Sequence, residues 1–159
     1  MITNGGQVFA SGPNGTNGYV DRSGMSNQVV VGSTNGTTSL YNLGSGVIAI
    51  GSWGNGQANQ QYDQIQVGSG GLITNFSGMN VGYGQGNSSN DSFNQFVVTN
   101  GGVAVNNTNN NINIGGNGTN NNSNSIIITG AGSLLNANQF TGGSIQVGSL
   151  GGTNYGNNL

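Results

Sequence analysis

The sequence predicts an all-β fold, a parallel β-solenoid (β-helix) of about five turns with roughly three short strands per turn. Three observations carry that expectation. A five-residue anchor recurs in order along the chain, a second strand pattern ending in glycine recurs between the anchors, and Gly-, Asn- and Ser-rich corners separate the two.

The anchor reads Asn or Asp, a polar residue, then apolar-x-apolar. It occurs as Asn27-Gln28-Val29-Val30-Val31, Asp63-Gln64-Ile65-Gln66-Val67, Asn94-Gln95-Phe96-Val97-Val98 and Asn124-Ser125-Ile126-Ile127-Ile128. Alternation with a period of two puts one set of side chains on a single face of a strand. A small-residue turn and a second apolar pair or single residue follow: Ser69-Gly70-Gly71-Leu72-Ile73, Asn100-Gly101-Gly102-Val103 and Gly130-Ala131-Gly132-Ser133-Leu134-Leu135. The first unit is looser and reaches Leu40 only after a polar stretch beginning at Thr34.

The third element is apolar-x-apolar-Gly, as in Ile48-Ala49-Ile50-Gly51, Met79-Asn80-Val81-Gly82, Ile112-Asn113-Ile114-Gly115 and Ile145-Gln146-Val147-Gly148. From Gly51 the intervals between these glycines are 31, 33 and 33 residues. The glycines Gly51, Gly82, Gly115 and Gly148 are expected at corners that need positive φ or close backbone approach. One unit, with about six inward side chains, cannot bury its apolar face alone, so units must stack. At ~4.8 Å per turn, five turns give a rod about 24 Å long with two open edges.

The chain termini carry the same register. Asn157-Asn158-Leu159 begins an anchor, and Met1-Ile2-Thr3 finishes one. Counted from Leu159 round to Val29, Ile65, Phe96 and Ile126, the intervals close on the chain length of 159. The expected units lie near 159/1–28, 29–64, 65–95, 96–125 and 126–158. Two readings of the closure stand side by side. The residues are a segment of a longer solenoid, or identical subunits stack tail to head with Leu159, Met1 and Ile2 completing a shared strand.

Stacking would set Asn27, Asp63, Asn94, Asn124 and Asn157 one above another. A carboxamide both donates and accepts, so such a column can bond to itself and to the corner backbone without unpaired charge. The plainer alternative, that Asn merely favours turns, accounts for most Asn in the chain but not for this register. Asp63 is the exception, tolerable where it accepts from amides above and below.

Composition excludes most chemistry. There are 33 Gly, one Pro, no Cys, no His and 3% charged residues, with Arg22 the sole cation and Asp21, Asp63 and Asp91 the anions. Nucleic acid is not an expected partner, because phosphate binding needs a basic footprint. The longest apolar run, Val47 to Ile50, is far below membrane-spanning length, and no basic-then-apolar leader precedes it, so an export signal would lie outside this sequence. General acid–base work draws on His, Glu, Asp, Lys, Tyr or Cys, of which four types are missing, and the Asp residues sit singly, so no catalytic residues, cofactor or metal site are expected. Gly115-Gly116-Asn117-Gly118-Thr119-Asn120 resembles a calcium-binding GGxGxD repeat, but Asn120 stands where the ligand carboxylate belongs. The first unit, with Pro13 and Gly18-Tyr19-Val20-Asp21-Arg22, departs from the pattern and reads as an irregular turn with a surface contact at Asp21 or Arg22.

Tyr41, Trp53, Tyr62, Tyr83 and Tyr155 are expected mostly in loops, where Trp53 and Tyr83 could stack on sugar rings; the alternative is that these rings cap the apolar edges of the rod. Thr34, Thr37 and Thr38 hint at an ice-binding array, but no Thr-x-Thr column recurs.

Anchor strand, Gly-Gly or Gly-Ala-Gly-Ser-Leu corner, and apolar-x-apolar-Gly followed by an Asn/Ser-rich loop together resemble the β-strand repeats of autotransporter passenger domains and related large bacterial surface adhesins and fibres. The match spans nearly the whole chain and is clearest from Asn124 to Leu159. The resemblance implies an exported parallel β-helix at the cell surface or outside it, serving as stalk, adhesin or fibre, and it carries over no catalytic residues. The expected partner is the chain itself, end to end or as covalent continuation, with a cell surface or glycan as the other class.

Overall fold

The structure, a computed structural model, describes residues 2–3, 7–9, 18–20, 26, 28–35, 37–44, 46–51, 61–86, 91–106, 110–118, 120–137, 144–149 and 156–159. In chain order the strands are β1 (Ile2–Thr3), β2 (Gln7–Phe9), β3 (Gly18–Val20), β4 (Gln28–Gly32), β5 (Ser39–Asn42), β6 (Val47–Ile50), β7 (Gln64–Val67), β8 (Gly71–Phe76), β9 (Gly78–Gly86), β10 (Gln95–Thr99), β11 (Val103–Asn106), β12 (Ile112–Gly118), β13 (Ser125–Thr129), β14 (Leu134–Asn136) and β15 (Ile145–Ser149). Among the described residues there is no helix.

Each strand from β4 to β12 pairs with the strands three before and three after it, and β1–β3 and β13–β15 each have one such partner. The result is three parallel sheets ordered β1-β4-β7-β10-β13, β14-β11-β8-β5-β2 and β15-β12-β9-β6-β3. Each lap contributes one strand to each sheet, which is the arrangement of a β-solenoid. Short, β-branched strands suit this geometry because each has a partner on both edges except at the two ends of the stack.

Register turns the sequence repeat into columns. In the first sheet Val29, Ile65, Phe96 and Ile126 are partners, as are Val31, Val67, Val98 and Ile128. In the third sheet Ile48, Met79, Ile112 and Ile145 align, and beside them Ile50, Val81, Ile114 and Val147. The second sheet supplies Tyr41, Ile73, Ala104 and Leu135. These columns meet in one core, where Val31, Ile48, Ile65, Ile73, Phe76, Phe96 and Ile112 are wholly buried. Each buried Val, Ile or Phe contributes about 1.5–3 kcal/mol, so stacking supplies what one lap cannot.

Tyr41 and Tyr83 lie in strands, not in loops as their Asn- and Gly-rich neighbours suggest. Tyr41 is in β5, opposite Ile73, and packs against the core. Tyr83 is in β9, opposite Gly116 of β12. Both occupy rungs set by the parallel ladder, which overrides weak local propensity.

Candidate functional site

The feature most specific to this fold is the corner that leads into the first sheet. The residue before each anchor takes a left-handed backbone: Ser26 (φ 66°), Tyr62 (63°), Phe93 (61°), Ser123 (56°) and Gly156 (65°). For Tyr and Phe this conformation costs roughly 1–2 kcal/mol, so neighbouring contacts must hold it. Tyr62 and Phe93 stack on each other outside the corner, with centroids 5.0 Å apart and planes 5° from parallel.

Carboxamides supply the hold from inside. Asn94 Oδ1 accepts from the Asp63 amide at 3.0 Å, Asn124 Oδ1 from the Asn94 amide at 2.9 Å, and Asn157 Oδ1 from the Asn124 amide at 2.9 Å. Asn94 Nδ2 also donates to Asn124 Oδ1 at 3.1 Å. In two of the three the other end of the side chain reaches a carbonyl: Asn124 Nδ2 donates to Asp91 O at 2.7 Å and Asn157 Nδ2 to Asn121 O at 2.9 Å. Asn124 and Asn157 therefore each tie two points of the preceding unit. Asp63, Asn94 and Asn124 are fully buried, Asn157 half-buried. Asn27 lies outside the described residues.

The glycine after the third strand is the seat for this amide. A Cβ on Gly51 would fall 2.2 Å from the Asn94 carboxamide, one on Gly82 2.1 Å from that of Asn124, and one on Gly115 2.3 Å from that of Asn157. All three have positive φ, so both space and backbone select glycine. Gly148 shares the conformation, φ 63°, but nothing lies within 4 Å of its Cβ direction. Gly115 is thus part of a packed corner, and the GGxGxD-like stretch that starts there begins within β12 and extends past its end.

A second polar column lies beside the first. Asp91 and Asn121, each three residues before an anchor, are buried, and the Asp91 amide donates to Asn121 Oδ1 at 3.2 Å while Asn121 Nδ2 donates to Gly116 O at 2.8 Å. The signal in the sequence is a polar residue at that offset before four of the five anchors, Gln60, Asp91, Asn121 and Asn154, with Gly24 before Asn27.

Further carboxamides form outward ladders. Gln28 Nε2 donates to Gln64 Oε1 at 2.7 Å and Gln64 Nε2 to Gln95 Oε1 at 3.0 Å; Asn113 bonds Asn80 at 2.7 Å and Asn75 bonds Asn42 at 3.0 Å. Beside the Asn80–Asn113 pair runs an open groove of about 280 Å³, lined by Val47, Gly78, Tyr83, Asn110 and Asn111 as well. Trp53, the other ring expected to stack on a ligand, lies outside the described residues, as do Met1, Tyr155, Asp21 and Arg22.

At the C-terminal end of the stack Ile128, Leu134, Ile145, Val147 and Leu159 are 43–60% exposed. Asn158 bridges to Ser125 in parallel, placing Leu159 at the very edge of the first sheet. Burial of the Tyr41 ring raises its phenol pKa above the usual value of 10.0. Among the described residues no three His, Cys, Asp or Glu side chains gather to hold a metal ion. Compared with protein-family models, with curated proteins and with solved structures, the chain matches none.

Proposed function

We propose that this chain is a structural element of an extracellular or cell-surface fibre or stalk, a five-turn β-solenoid rod that acts by holding its shape and not by turning over a substrate. The observation that carries the reading is the run of continuous columns, apolar within and carboxamide at the corners, through three parallel sheets. Such a molecule is stiff along its axis, and among the described residues its only charged side chains, Asp63 and Asp91, are buried. The resemblance to autotransporter passenger repeats supports an exported setting. The absence of His, Cys, Lys and Glu from the sequence supports a non-enzymatic role.

Electron microscopy and fibre diffraction of the purified chain test the proposal. The expected result is filaments of uniform width with a meridional spacing near 4.8 Å. Compact particles without that spacing, or turnover of a polysaccharide, would overturn it.

A second reading has one observation in its favour. The groove beside Tyr83 combines an aromatic ring with the carboxamides of Asn80, Asn110, Asn111 and Asn113, the pairing of stacking face and bidentate polar groups that suits a glycan. Glycan-array binding lost in Tyr83→Ala supports an adhesin module; an array with no signal removes it.

A further inference from the structure

We infer that the stacked pair Tyr62 and Phe93 is a binding platform for a neutral pyranose ring of a glycan, which continues the stack on the outer face of either side chain. The inference goes beyond the rod reading, which stands or falls on filaments, and concerns a different place in the fold from the groove beside Tyr83.

The corner itself does not need these rings. Ser26, Tyr62, Phe93 and Ser123 each precede an anchor and share one left-handed backbone. The amides of Ser26, Tyr62 and Phe93 donate in the same way, to the carbonyls of Gln61, Ser92 and Asn122. The main chain therefore closes this rung as well with a serine as with a ring. Tyr and Phe suit such a backbone poorly, and a single ring–ring contact offsets only part of two unfavourable conformations. Nor do the rings enter the core, for Tyr62 is 54% and Phe93 43% exposed. Strained side chains that the fold can do without mark a place where something outside the fold is met.

The stack has room for a guest. The two rings are within 5° of parallel with centroids 5.0 Å apart, close to the ~4.8 Å rise of one lap, so the pair runs along the rod axis. Its outer faces look toward Ser26 on one side and Ser123 on the other, whose side chains are too short to cover a ring. Each side thus leaves one rung free, and ring centroids stack at about 4.5 Å or more, which one lap provides.

The surroundings name the chemistry. At the level of the guest stand the hydroxyls of Ser26, which is exposed, and Ser123, which is half-buried. Two residues further on in each lap, the ladder Gln28–Gln64–Gln95 lines the outside of the first sheet with carboxamides. A pyranose offers both matching surfaces: axial C–H bonds that lie flat on an aromatic face, and rim hydroxyls that exchange hydrogen bonds with hydroxyl and amide groups. A planar aromatic guest would leave the polar groups unused. Charge selects a neutral sugar, because the acidic residues Asp63 and Asp91 flank the rings in sequence and no cation occurs among the described residues. A uronate or sulfated sugar would meet no counter-charge there.

The test applies the labelled full chain to an array of neutral and anionic oligosaccharides and takes affinities for the bound ones by calorimetry. Neutral hexose oligosaccharides are expected to bind, with the same affinity at low and high salt. Tyr62→Gly with Phe93→Gly lowers that affinity about tenfold or more, while the thermal midpoint stays within a few degrees of the parent because glycine accepts this backbone. Ser26→Tyr with Ser123→Tyr, which keeps both rings and fills the rungs beside them, lowers it by a similar factor. Tyr83→Ala leaves it unchanged. An array without neutral sugars bound, binding confined to anionic ones, or binding lost in Tyr83→Ala overturns the inference. So does an affinity that survives the Ser→Tyr pair, which decides the matter even where the glycine pair fails to fold. Rings that instead join rod to rod, seen as self-association abolished in the glycine pair with no sugar bound, overturn it as well. Each of these results leaves the rod reading standing.

Discussion

Asn124→Ala combined with Gly82→Ala isolates the corner's contribution in one double-mutant cycle. Alone, Asn124→Ala removes three side-chain hydrogen bonds: two accepted from Asn94 and one donated to Asp91 O. Each is worth about 1 kcal/mol net, and more where a buried backbone group loses its partner, so the loss should be about 3–5 kcal/mol. Against a total stability of about 5–15 kcal/mol, that is a large fraction. Alone, Gly82→Ala puts a Cβ 2.1 Å from the Asn124 carboxamide and forces the amide out, breaking the same bonds and adding roughly 1–2 kcal/mol for positive φ in a non-glycine residue. In the Asn124→Ala background the clash disappears and only the backbone cost of Gly82→Ala remains. The two changes should thus fall short of additivity by about 3 kcal/mol. Urea denaturation followed by circular dichroism gives the four free energies, with hydrogen exchange at the Asn94 amide as a local readout. Simple additivity, or an Asn124→Ala cost below about 1 kcal/mol, would refute the corner as the element that locks one lap to the next.

Other changes bear on single groups. Asp63→Asn replaces a buried carboxylate with the amide found at Asn94, Asn124 and Asn157, and should stabilise the fold by about 1–3 kcal/mol; a lower urea midpoint would contradict this. Tyr41 has a raised pKa in the folded state because burial disfavours the phenolate, so its contribution is complete below pH 10 and is lost as pH rises from there through the folded value. Thermal midpoints should therefore fall above about pH 10 in the parent and less steeply in Tyr41→Phe, and identical alkaline limbs would exclude Tyr41 as the cause. Between about pH 5 and 9 the absence of His leads to a nearly flat profile. Trypsin should cut the unfolded chain once, after Arg22, as mass spectrometry of the digest will record.

The fold was legible because parallel in-register pairing makes every lap repeat the same residue class on the same rung. Ile48, Met79, Ile112 and Ile145 sit at matching positions in the sequence and are partners in the sheet. The corner was legible only in outline. Asn94, Asn124 and Asn157 could be picked out by spacing, but the glycine that receives each amide lies far from it in sequence, and no local pattern links the two. The left-handed backbone at Tyr62 and Phe93 left no trace, since those residue types ordinarily avoid it; there the anchor ladder overrides intrinsic preference. Tyr41 and Tyr83 read as loop residues in the sequence because outward strand positions in this chain carry Asn, Gln and Gly, which blur the contrast between strand and connector. Asp91 and Asn121 are hidden for the same reason: in so Asn-rich a chain one more polar column does not stand out.

The outward carboxamide ladders Gln28–Gln64–Gln95 and Asn80–Asn113 give the flank of the rod polarity without charge. Dissolved salt weakens cohesion by screening ions, and here there is almost nothing to screen. The same material should hold equally well in fresh water and in brine, where a fibre laced with surface ion pairs would loosen as the ionic strength climbed.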